Sequence, residues 1–117
     1  MKEINKLNLR EKYELAKTTS TPEILEMLSK DGNDFVRGAV ANNKKTSAKA
    51  LESLSFDKWK IVDNVLENTK TTTSLILKIL HTTKNYYIKY TALVMLRKRK
   101  VEVEVDQNLK IWIVENI

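Results

Sequence analysis

The sequence predicts an all-α fold made of about three stacked copies of a two-helix unit, and three observations carry that prediction. Apolar residues recur every 26 positions, as Leu25, Leu51 and Leu77, as Leu28, Leu54 and Leu80, and as Val36, Val62 and Ile88. A hydroxyl residue heads each copy, at Thr21, Ser47 and Thr73. Composition agrees: 42% apolar and 31% charged residues, with two glycines and one proline in 117 residues, suit one helical domain rather than a loop-rich or disordered chain.

The copies are bounded at 20–45, 46–71 and 72–97, and each holds two short helices. In the first helix Ile24, Leu25 and Leu28 are matched by Ala50, Leu51 and Leu54 and by Ile76, Leu77 and Leu80, the spacing of one helical stripe. In the second, Phe35, Val36, Ala39 and Val40 are matched by Ile61, Val62, Val65 and Leu66 and by Tyr87, Ile88, Thr91 and Ala92. A stripe this narrow cannot bury itself, so each copy must lay its apolar side on the next.

Punctuation supports the division. Ser20 or Thr21 caps the first helix, and Pro22 occupies its opening turn, where a missing N–H is harmless. Thr46 or Ser47, then Thr72 or Thr73, repeat the device. Asp31, Gly32 and Asn33 form the turn between helices, and Asn42 and Asn68 are assigned equivalent places where the second helix ends. Arg37, Asp63 and Lys89 share a register position and are expected to stack as a structural ladder of alternating charge.

The ends depart from the pattern. Residues 1–19 read as an N-terminal capping half-repeat, since Leu9 and Tyr13 keep the register while Arg10 and Glu14 replace apolar residues. Residues 98–117 read as a C-terminal cap. There Val101, Val103 and Val105, then Leu109, Ile111 and Ile113, alternate with other residues, which points to a β-hairpin turning at Asp106–Asn108. A helix with Val105, Leu109, Trp112 and Ile113 on one stripe is the competing reading. Either would cover the open end, and an exposed Trp112 and Ile117 would let two chains pair there as a homodimer.

A period in the mid twenties, a Thr or Ser opening, Leu-x-x-Leu, an Asp turn, Val-Arg and a closing Ala and Asn together resemble the variant leucine-rich repeat, a HEAT-like helical family. Asp31, Val36, Arg37, Val40, Ala41 and Asn42 carry the likeness, which covers roughly residues 16–94. The resemblance implies a curved, right-handed α-solenoid of paired short helices with a concave binding surface. Where the family closes a copy with Asn-Pro, this chain has Asn42-Asn43 and Asn68-Thr69, and the third copy ends on Val94.

Charge is the clue to partners. The formal net charge is +6, yet residues 58–100 hold ten basic residues against Asp63 and Glu67 alone, while Lys110 faces four acids in 101–117. Within the basic block Lys58, Trp59 and Lys60 are adjacent, Lys84 precedes Tyr86, Lys89 precedes Tyr90, and Arg97, Lys98, Arg99 and Lys100 run together. Cations interleaved with rings suit an acidic protein surface, or a nucleic-acid backbone with bases stacked on the aromatics. These eleven residues are the candidate partner-binding set. Plainer readings stand beside it: Trp59 in the inter-helix loop plugs the seam between copies, Tyr87 belongs to the core stripe, and the basic run is a solvated helix end favoured by the helix dipole.

Catalysis finds little footing. The absence of cysteine removes disulfides, thiolate metal sites and thiol nucleophiles, and His81 is the single histidine. Gly32 and Gly38 make no phosphate loop. Asp63 with Trp59 is the one pair suggestive of base-excising chemistry, and Glu102, Glu104 and Asp106 read more cheaply as a solvated face than as a cation site. The expectation is a non-catalytic interaction module without cofactor or metal, binding an acidic protein partner, with nucleic acid as the alternative. No apolar run is long enough for a signal peptide or a membrane span, so a cytoplasmic location and no membrane partner are expected.

Overall fold

The computed structural model describes residues 3–117. Among these residues a 3₁₀ turn (Ile4–Lys6) precedes eight α-helices: α1 (Leu9–Thr18), α2 (Pro22–Leu28), α3 (Asp34–Asn42), α4 (Ala48–Leu54), α5 (Trp59–Glu67), α6 (Thr73–Thr82), α7 (Tyr86–Lys98) and α8 (Gln107–Asn116). Helix starts follow from side-chain caps. Asn8 and Glu11 form a reciprocal capping box at α1, at 2.8 and 3.0 Å, and Asn33, Ser47, Thr72, Asn85 and Asp106 each accept a backbone N–H from the first turn of their helices. Thr21 caps α2 with no side-chain bond, and α2 opens on Pro22.

The helices sort into two compact units, Met1–Thr71 and Thr72–Ile117. In the first, α3 packs between α1 and α5, with α2 and α4 against their neighbours. Its core is Leu25, Leu28, Val36, Val40, Leu51, Leu54, Val65 and Leu66, all nearly solvent-free. In the second, α6 packs on α7 and α7 on α8, around Ile76, Ile79, Ile88, Ala92 and Leu96.

Three side-chain devices recur inside the first unit, and they reveal its true register. Asn43 Nδ2 donates to the Ala16 and Thr19 carbonyls, both at 2.9 Å; Asn68 Nδ2 donates to Ala41 and Asn43 at 2.8 and 3.1 Å. Each amide thereby ties the end of one second helix to the end of the helix before it, satisfying carbonyls that a helix C-terminus leaves orphaned. Thr46 and Thr71 each donate to the carbonyl six residues back, Val40 and Val65, at 2.7 and 2.6 Å. Ion pairs repeat as well: Lys12 meets Asp31 at 2.8 Å and Arg37 meets Asp57 at 2.8 Å, all four side chains less than a quarter exposed. Arg37 also donates to the Asp31 carbonyl at 2.9 Å, so consecutive turns are cross-tied.

These bonds correct the uniform spacing read from the sequence. Asn43, not the exposed Asn42, is the partner of Asn68, which puts second helices 25 residues apart. The first helices α2 and α4 keep the 26-residue offset, because Asp31-Gly32-Asn33 has one residue more than the shorter Asp57-Lys58 turn. In α6 the 25-residue offset returns, so Thr72 is the cap and Ile76 and Ile79, rather than Leu77, take the places of Leu51 and Leu54. Phe35 and Tyr87, assigned to the core stripe, are 71% and 50% exposed, since each falls one position before the buried Val36 and Ile88. Arg37 of the expected charge ladder pairs with Asp57, and Lys89 lies over the Tyr86 ring.

Electrostatics reinforce the cross-ties. The Asp57 carboxyl is held below the usual value, foremost by the hydrogen bond from Arg37. At Asp31 burial pushes the carboxyl up, but the Lys12 hydrogen bond, the Asn33 N–H and the Lys12 and Arg37 charges together outweigh it and leave the value lowered.

The expected C-terminal hairpin is absent: residues 101–106 form neither strand nor helix, and 107–116 form α8. The Val/Glu alternation is real, with the valines half-buried and the glutamates exposed, but no second strand follows it, because the Asp106 side chain accepts the Leu109 N–H at 2.8 Å and starts a helix. No helix among the described residues is long and apolar enough to cross a membrane.

Candidate interaction surface

Helix α5 places the first candidate group. Lys58 stands at its N-cap without a side-chain capping bond, and Trp59 and Lys60 form its first turn rather than a loop. Lys58 Nζ reaches Asp34 Oδ2 at 3.0 Å across to α3, and Asp34 is held below the usual carboxyl value by that bond and charge. Trp59 is about half exposed, at 49%, with Lys60 Nζ 5.6 Å from its ring centroid, a cation–π distance. These three candidates are adjacent in space as they are in sequence.

In the second unit α7 positions the rest. The first two turns of α7 bring Tyr86, Lys89 and Tyr90 together, and α8 adds a residue that the sequence reading left out of the site. Trp112 stacks on Tyr86, with centroids 6.3 Å apart and planes 19° from parallel, and meets Tyr90 at 6.2 Å in a tilted contact. Lys89 Nζ sits 5.0 Å from the Tyr86 centroid on the same cluster. All four side chains are half-buried, so the tyrosines expected as free surface anchors also fasten α8 onto α7. Only a pairing of distant positions could have flagged Trp112; the helical stripe through Leu109 and Trp112 was the available signal.

Lys84 is exposed in the α6–α7 connection, and Arg97 and Lys98 are exposed in the last turn of α7. Arg99 turns inward enough to donate to Thr73 Oγ1 at 3.2 Å. Lys100 adopts a left-handed φ of 61°, where Lys100 N–H bonds to Arg97 and Val101 N–H to Leu96, the Schellman arrangement that closes a helix. The basic run is therefore divided: Arg97, Lys98 and Lys100 are exposed, Lys100 closing the helix through its backbone, and Arg99 is tied by its side chain. Among the described residues no carboxylate pairs with Lys84, Lys89, Arg97 or Lys98, so their charge is uncompensated.

Chemically, the arrangement offers cations and ring faces to an anionic partner. His81 is exposed at the end of α6, and no group of three or more His, Asp or Glu side chains among the described residues could hold a metal ion. Comparison with known protein families, curated proteins and solved structures finds nothing that this chain matches.

Proposed function

We propose that the chain is a non-catalytic interaction module of the variant leucine-rich repeat kind, a short right-handed α-solenoid of about three copies that offers a basic, aromatic-bearing surface to an acidic face of another protein. The repeated Asn, Thr and ion-pair ties of residues 12–71 support the stacked-repeat part of this reading. The uncompensated charge of Lys84, Lys89, Arg97 and Lys98 supports the choice of partner and is the observation that carries it. Such charge steers an acidic partner toward α7.

Fluorescence anisotropy with a labelled Asp/Glu-rich peptide tests the reading, with a DNA duplex as comparison. The peptide should bind, release as salt rises, and lose about tenfold in affinity when Lys84, Lys89, Arg97 and Lys98 are changed together to glutamine. Absence of peptide binding, or binding indifferent to those changes, refutes it. The second reading, a nucleic-acid backbone binder, draws on the same surplus of cations; tighter duplex binding with a steep salt slope, lost on changing Lys58, Lys60, Lys84 and Lys89 together, would favour it.

A further inference from the structure

We infer that the outward face of α8 pairs with the same face of a second copy of this chain, the two helices running parallel. One side of α8 is already committed: Leu109 is 2% exposed, and Trp112 packs on Tyr86 and Tyr90, which fixes the rotation of the helix about its own axis. The opposite side carries Ile111, Val114 and Ile117 at 46%, 82% and 68% exposure, apolar residues that nothing in their own unit covers. Ile111 and Val114 stand three apart and Gln107 four before Ile111, the a and d spacing of a helical seam.

The charges choose the occupant and the direction. Lys110 and Glu115 are the sole charged residues of Gln107–Asn116, so the face is neutral and suits a copy of itself better than a strongly charged partner. With Ile111 at a and Val114 at d, Lys110 falls at g and Glu115 at e, five residues on. In a parallel pair each g residue meets the following e residue of the other helix, giving two symmetric Lys110–Glu115 ion pairs beside the apolar layers. Antiparallel pairing brings like edges together and forfeits both. The seam is about one heptad long, so the dimer belongs with small transient interfaces, and its dissociation constant is expected on the order of 100 µM.

Sedimentation equilibrium of the whole chain from roughly 10 µM to 1 mM should show the average mass rising from one chain toward two. Val114→Lys should hold the protein at one chain with its helical circular dichroism intact, because the side chain points outward and a cation suits a helix C-terminus. Lys110→Glu or Glu115→Lys alone should weaken association several-fold, and the double exchange should restore it. Because the chain has no cysteine, Val114→Cys should cross-link two copies on mild oxidation, as facing d residues of a parallel seam allow. A mass that stays at one chain to the top concentration, a Val114→Lys protein that still dimerises, an exchange that fails to restore, or a Val114→Cys protein that dimerises without cross-linking would each overturn the inference.

Discussion

Replacing Asn68 by alanine should cost about 3 kcal/mol, whereas the same change at Asn42 should cost less than about 0.5. Asn68 is 4% exposed, and its amide donates to Ala41 and Asn43 while its Oδ1 accepts the Lys70 N–H at 2.9 Å. Truncation strands the Ala41 carbonyl in a buried position, at about 2 kcal/mol. The Asn43 carbonyl keeps the Thr46 N–H at 3.1 Å and loses only a second donor, at about 1 kcal/mol. Water reaches the exposed Lys70, so its N–H adds little. Spread over 117 residues, a loss of this size lowers the melting midpoint by about 12 °C. Urea unfolding followed by far-UV circular dichroism gives both values directly. If Asn68→Ala and Asn42→Ala fall within about 1 kcal/mol of one another, the amide tie is not what joins the ends of α3 and α5.

Lys100→Gly should stabilise the protein by about 1 kcal/mol, since glycine takes the left-handed φ of 61° without a Cβ penalty; a lower urea midpoint would contradict the Schellman closure. Gly38→Ala should gain about 0.5–1 kcal/mol from helix propensity, because the added Cβ would meet Asn64 Nδ2 at 3.5 Å and Ile61 Cγ1 at 3.9 Å, ordinary contacts; a loss instead would mean that α3 and α5 lie closer than described. The lowered carboxyls of Asp31 and Asp57 contribute stability that is present in full above the unfolded carboxylate value near 3.9 and is lost as pH falls through their lower folded values. Comparing urea midpoints at neutral and acid pH should therefore show a smaller acid loss in Arg37→Met than in the parent chain, and equal losses would remove Arg37 as the cause.

The periodic parts of the fold were legible because each buried residue announces itself by helical spacing: Leu25 and Leu28, Leu51 and Leu54, and Val40 and Val65 all lie in the core. What the spacing could not carry was a one-residue slip. Gly32 lengthens one turn, and from there a constant offset assigns Asn42 for Asn43 and Leu77 for Ile76. Phe35 and Tyr87 misled for the same reason, being large and apolar yet one step off the stripe. At the C-terminus two-residue alternation matched the burial of Val101, Val103 and Val105 against Glu102 and Glu104, but a hairpin needs two strands, and the Asp106 cap supplies a helix instead. For the candidate surface, charge could be read residue by residue, so Lys58, Lys84, Lys89, Arg97 and Lys98 emerge exposed or half-exposed as anticipated. The Tyr86–Trp112 stack joins positions on different helices, and no local pattern encodes such a meeting.

The amide ties of Asn43 and Asn68 point one way along the chain, from the end of α3 to the end of α1 and from the end of α5 to the end of α3. A helix emerging from the ribosome thus finds its docking carbonyls already in place, whereas the cations Lys12 and Arg37 wait for Asp31 and Asp57, which follow them in the chain. Cutting the chain back before Asn68 takes the donor away from the Ala41 carbonyl, and removing residues up to 19 takes the acceptors away from the Asn43 amide, so each tie is broken from either side.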